Sequence, residues 1–144
     1  MKIYVIGSLR KPEVEELADA LRADGHEVFD QWRAAGPTAD DEWRDYFKRR
    51  GVDYAAALTS AFVEHIVEFD KRWLTWADVV ISCGPPGVSS AYELMWAGCQ
   101  GKLPIIFLSQ DPERWDAMAR LVSNLRVART FSDIRDILSE EEGV

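Results

Sequence analysis

Cysteine and histidine are scarce in this chain, with two of each in 144 residues. Cys83 and Cys99 form no CxxC pair, and His26 and His65 are far from them in sequence, so no metal-ligand spacing is present. Two free thiols suit a reducing compartment. Basic residues are also few, 17 against 25 acidic ones, for a net charge of −8. That balance disfavours binding to a phosphate backbone, so nucleic acid is not an expected partner. A small anionic ligand remains compatible, because a pocket can be locally positive in an acidic protein. Long apolar runs are missing too. The run in "MKIYVIGSLR" is too short for a signal peptide or a membrane span, which leads to the expectation of a cytoplasmic protein with no membrane partner. Repeats, linkers and low-complexity segments are absent, as are the GxxxxGK[ST] and GxGxxG phosphate-loop patterns.

What is present describes an ordinary globular chain, 47% apolar and 29% charged. The length suits one domain over 1–144. "KIYVIG" (2–7) is a short β-branched run ended by Gly7, as expected of a strand buried on both faces. Pro12 suits the first turn of a helix, Val14, Leu17, Ala18 and Leu21 follow helical spacing, and Gly25 is a helix stop. "HEVFD" (26–30) is a second short strand. The segment 31–51 mixes Trp32, Trp43, Tyr46 and Phe47 with many charges. Asp40 and Asp41 favour a helix start and Lys48, Arg49 and Arg50 its end. Together with the residues up to about 60 it forms a helical insert outside the sheet. A long helix is expected over 53–77, with Leu58, Phe62, Ile66, Phe69 and Trp73 as one apolar stripe. "DVVISC" (78–83) and "LPIIFL" (103–108) are the third and fourth strands, with a helix to about Gln100 between them. Asp111 and Pro112 resemble a cap and first-turn pair opening another helix. "RVARTF" (126–131) is a weaker fifth strand, and Ser132 is placed to cap a final helix. Short, uniformly apolar strands alternating with helices predict an α/β three-layer sandwich, flavodoxin-like or Rossmann-like. Its five-stranded parallel sheet would have the order 2-1-3-4-5.

Such sheets bind ligands at the carboxyl ends of the strands, beside the switch point between strands 1 and 3. Two small-residue loops would meet there, "GSLRKP" (7–12) and "GPPGVSS" (84–90), each leading into a helix. Their N–H groups and helix N-termini suit an anion. Ser8, Ser89 and Ser90 add hydroxyls, and Arg10 adds a fork matched to phosphate. Gly7 and Gly87 singly are equally consistent with simple tight turns. Glu93 lies early in the helix after the second loop, among apolar neighbours. Either it complements the helix dipole or it is a partly desolvated nucleophile or acid–base group. Asp70 on the long helix is either a surface partner for Lys71 or Arg72 or a second carboxylate of the same site. A carboxylate pair at one crevice is the equipment of glycoside chemistry.

Four segments then carry a resemblance. "IYVIGSLR" (3–10), "FDKRWLTWADVV" (69–80), "GVSSAYEL" (87–94) and "GKLPIIFL" (101–108), in this order, resemble the nucleoside 2-deoxyribosyltransferase superfamily, including its 2'-deoxynucleoside 5'-phosphate N-hydrolase branch. The resemblance implies an N-glycosidase or deoxyribosyltransferase acting on a nucleoside or nucleoside 5'-monophosphate. Glu93 would be the nucleophile and Asp70 would help protonate the base or orient the sugar. Tyr4 would lie by the sugar or base, and Ser8, Arg10, Ser89 and Ser90 would hold a 5'-phosphate. It implies no metal or organic cofactor, and a homodimer or higher homo-oligomer in which a neighbouring subunit often completes the pocket. The chain departs from the family at Met95, where a glycine is usual, at Gly87 in place of a serine, at Leu103 within "GKLP", and in the insert at 31–60. Trp32 of that insert is a candidate to stack on the base, or to pack against the long helix. Related chemistries stand beside this expectation: a phosphoribohydrolase, whose motif "PPGVSSAYE" (85–93) loosely resembles, or an NAD-cleaving enzyme. A non-catalytic nucleotide- or ADP-ribose-sensing module is the alternative outside enzymes.

Overall fold

The computed structural model describes residues 1–8 and 11–143. Five parallel strands form its centre: β1 (Lys2–Gly7), β2 (Glu27–Phe29), β3 (Val79–Cys83), β4 (Leu103–Phe107) and β5 (Arg126–Ala128), in the order β2-β1-β3-β4-β5. This is the expected order. Every residue of β3 and β4 is buried, which is why those segments read as unbroken apolar runs rather than alternating ones.

Strand alternation sorts the side chains onto two faces. Ile3, Val5, Ile81 and Cys83 join one core with α1 (Glu13–Ala23) and α6 (Phe131–Glu142). Tyr4, Ile6 and Val80 join the other, beneath α4 (Ala61–Trp76) and α5 (Val88–Cys99). The result is the expected three-layer sandwich. Gly7 is explained by packing. A Cβ there would lie 2.8 Å from Val14 Cγ2 and 3.1 Å from the Cys83 carbonyl oxygen.

Several boundaries differ from the sequence expectations, each for a local reason. The helix over 53–77 is two helices, α3 (Tyr54–Leu58) and α4. Ser60 takes an extended conformation and its hydroxyl accepts from Val63 N, so a cap forms where the periodicity alone runs on. Segment 31–51 splits at Gly36, whose φ is +93°, into a 3-10 turn over Gln31–Ala35 and α2 (Ala39–Arg49). No helix opens at Asp111 and Pro112. Asp116 instead caps a 3-10 turn over Ala117–Leu121. The last helix is capped by Thr130 rather than Ser132, in a reciprocal capping box with Asp133. The stripe on α4 is not its core face either. Leu74 is buried, whereas Phe62 and Phe69 are largely exposed.

Among the described residues, no helix is long and apolar enough to cross a membrane.

Candidate active site

The carboxyl ends of β1 and β3 carry the two small-residue loops side by side, since Gly7 pairs with Cys83 in the sheet. Gly84 leaves β3 with φ +94°, a left-handed turn that favours glycine. Gly87 then occupies the N-cap of α5 without any side-chain cap, and a Cβ placed on it would meet nothing within 4 Å. Its φ of −75° would suit any residue. The first turn of α5 therefore presents its N–H groups uncapped toward open space, with Ser89 exposed and Ser90 partly so.

The first loop and the turn over Gln31–Ala35 supply cations. Lys11 Nζ lies 3.8 Å from where a Cβ on Gly84 would stand, between the two loops, and makes no ion pair among the described residues. Arg33 Nη1 donates to the Ser8 carbonyl at 2.8 Å and its Nε reaches Glu15 at 3.4 Å. Both cations act on Cys83, pulling its thiol down against the burial that pushes it up to about 11. Ser8 is exposed at this mouth. Arg10 lies outside the described residues.

Below the mouth three groups converge from three elements: Tyr4 from the middle of β1, Glu93 from the second turn of α5 and Asp70 from α4. Tyr4 is 2% exposed, and its hydroxyl is hydrogen-bonded to the Glu93 carboxyl. One carboxyl oxygen, Glu93 Oε2, is fully buried and has no hydrogen-bond partner. Buried polar atoms are nearly always satisfied, so an orphan lone pair of this kind needs a reason. Burial raises Glu93 from its ordinary 4.5 to about 7; the Asp70 charge adds to the rise, and the Tyr4 hydrogen bond partly opposes it. Asp70 is raised as well, by burial first and then by Asp40. Tyr4 is pushed far upward by burial and by both carboxylates, so it remains a neutral phenol and a donor. The charge of Asp70 thus disfavours ionisation of Glu93, and both carboxyls favour the protonated form more than free ones do.

The structure thus brings Tyr4, Asp70 and Glu93 together and sets Gly7, Ser8, Gly87, Ser89 and Ser90 at the carboxyl ends of β1 and β3. Trp32 is not free to stack on a ligand through a loose ring. Its Nε1 donates to the Val5 carbonyl at 2.8 Å and its body packs on both cores. Met95 and Trp96 pack against the core beneath α5. Three contributors were missed in the sequence. Lys11 was legible as the next residue in the same loop. Asp40 carries only a helix-start signal in the sequence, and Arg33 depends on a turn that the sequence does not reveal. Among the described residues, no group of three or more His, Cys, Asp or Glu side chains could hold a metal ion.

Sheet order and helix layers together match the α/β fold of nucleoside deoxyribosyltransferases. Several solved structures share it, two of them as follows. One is a 2-deoxyribosyltransferase from the psychrotolerant bacterium Bacillus psychrosaccharolyticus, with a TM-score of 0.62 and 19% identity over 94% of this chain and 91% of that one. The other is the Clostridium botulinum CMP N-glycosidase BcmB, with a TM-score of 0.58 and 16% identity over 96% and 99%. At these identities the likeness is one of fold. No protein-family model and no curated protein matches the chain.

Proposed function

We propose that the protein cleaves the N-glycosidic bond of a nucleoside or nucleoside 5'-monophosphate, by hydrolysis or base exchange, through a glycosyl-enzyme on Glu93. The observation that carries this is the buried, unpartnered Oε2 of Glu93 beside a second raised carboxyl. An ionised oxygen with no hydrogen bond is poorly solvated, which raises its nucleophilicity. In the first step Glu93 attacks C1', the C1'–N bond breaks, and its electron pair stays on the base nitrogen. Asp70 supplies the proton that nitrogen needs, a task suited to a carboxyl whose burial favours the protonated form. In the second step water attacks C1', gives its proton to Asp70 and frees Glu93. A second base in place of water gives exchange. Tyr4, locked as a neutral donor, orients Glu93 and lies by the sugar. The 5'-phosphate falls to the uncapped N-terminus of α5 with Ser89 and Ser90, to Ser8 and Arg10, and to Lys11 between the loops. The two structures of like fold belong to an N-glycosidase and a deoxyribosyltransferase, which supports this chemistry.

The test is incubation with a panel of nucleosides, ribo- and deoxynucleoside monophosphates and NAD, with free base as the readout. Release that is lost in Glu93→Ala supports the proposal. Release undiminished in Glu93→Ala removes the nucleophile, and tight nucleotide binding with no release points to a sensor.

A further inference from the structure

The sheet leaves the end of β1 without a strand on one side. β2 pairs with β1 only as far as Phe29 opposite Tyr4, while β1 runs on to Gly7. Beyond that point the 3-10 turn over Gln31–Ala35 takes the place of a strand, using side chains. Trp32 Nε1 donates to the Val5 carbonyl at 2.8 Å, and Arg33 Nη1 donates to the Ser8 carbonyl at 2.8 Å. Backbone carbonyls need partners, and here two side chains supply them where the β2 ladder stops.

The Ser8 carbonyl has a second donor. Lys11 N reaches it at 3.2 Å, which closes a turn from Ser8 to Lys11. Arg33 therefore grips the first residue of the turn whose sequence includes Arg10 and ends at Lys11. The guanidinium is itself held. Its Nε reaches Glu15 of α1 at 3.4 Å, its Cζ lies 5.8 Å from the centroid of the Trp32 ring, and its side chain is only 12% exposed. One planar group thus ties its own turn, the loop after β1 and α1 together. Its bonds leave from different nitrogens of a rigid fork, a geometry that a lysine ammonium does not reproduce.

We infer that Arg33 is a positioning residue: through the Ser8 carbonyl it holds the Ser8–Lys11 turn in its anion-binding form, and so sets the preference for 5'-phosphorylated substrates without touching the phosphate. A turn ordered in advance is not ordered at the expense of binding when the anion arrives, so the preference appears in affinity rather than in turnover. The link to phosphate rests on the site proposed above; the holding of the turn does not.

Backbone ¹⁵N relaxation and substrate kinetics test the two parts. The Ser8 and Lys11 amides should have order parameters of about 0.85 in the wild type and below about 0.6 in Arg33→Gln, checked for native circular dichroism. In that variant KM for nucleoside monophosphates should rise ~10-fold, with kcat and the KM for nucleosides unchanged. Arg126→Gln removes the same charge from an exposed pair with Glu140 at the start of β5, and should alter neither readout. Arg33→Lys separates charge from position: it should restore the monophosphate KM only if it restores the order parameters. Order parameters unchanged in Arg33→Gln overturn the holding of the turn, whatever the activity. A loosened turn with an unchanged monophosphate KM, or a KM restored by Arg33→Lys over a turn still loose, overturns the link to phosphate alone. If no compound releases base, the proposed function fails, and the relaxation still decides whether Arg33 holds the turn.

Discussion

Replacing Glu93 by Gln should make the protein more stable, by an amount that depends on pH. Burial and Asp70 raise this carboxyl from 4.5 to about 7 in the folded chain. A group raised on folding contributes stability that is complete below its unfolded value and is lost as pH rises through its folded one. For Glu93 the window runs from pH 4.5 to about 7. Across it the wild type should lose ~1.4 kcal/mol per pH unit, ~3 kcal/mol in all. Gln has nearly the same shape, offers an oxygen to the Tyr4 hydroxyl and does not titrate. The difference between variant and wild type should therefore grow by ~3 kcal/mol from pH 4.5 to pH 8, or ~6–12 °C in Tm for a chain of this size. Urea titrations and thermal melts at pH 4.5, 5.5, 6.5 and 8 measure it. A difference that stays flat with pH would mean that Glu93 is not desolvated, and would remove the physical basis for its role. A gain in stability accompanied by complete loss of base release is the pattern expected where activity requires a strained charge.

Further outcomes follow from the same geometry. The kcat/KM for base release should fall on the acid side with a midpoint near the Glu93 value of about 7, and Asp70→Asn should move that midpoint downward because the Asp70 charge is one of its causes. The same substitution should lower kcat ~10²–10⁴-fold, which pH–rate profiles resolve. Gly98→Ala should destabilise the fold by ~1–3 kcal/mol, since its Cβ would sit 2.8 Å from the Ser123 carbonyl oxygen; a melt with unchanged Tm would contradict the packing of α5 on that turn. Lys11→Ala should raise KM for monophosphates ~10-fold or more while leaving nucleosides alone, and equal effects on both would take Lys11 out of the phosphate site.

The layers of the fold were legible because buried parallel strands write themselves as uninterrupted apolar runs. β3 and β4 are the clearest cases, and the loops after β1 and β3 were visible as glycine and serine clusters. Helix boundaries were less legible where a single side chain decides them. Ser60 stops one helix and starts another through one hydroxyl, and Thr130 outcompetes Ser132 because Asp133 completes its capping box. At the site, Glu93 stood out for its apolar neighbours, and its burial follows from them. Asp40 and Arg33 did not stand out, because their positions depend on how the 31–60 segment packs, with Trp32 on the Val5 carbonyl and Arg33 on the Ser8 carbonyl. The exposed stripe on α4 has the periodicity of a core helix. Periodicity reports that a face is apolar and not whether the same chain covers it.

Intact-protein mass spectrometry after rapid acid quench tests the central claim most directly. With a cleavable nucleoside monophosphate, a fraction of the wild-type chain should gain the mass of a pentosyl phosphate. The adduct should map by proteolysis to Glu93 and be absent from Glu93→Gln. Base release at full rate with no adduct at any quench time, or an adduct on another residue, would contradict the account.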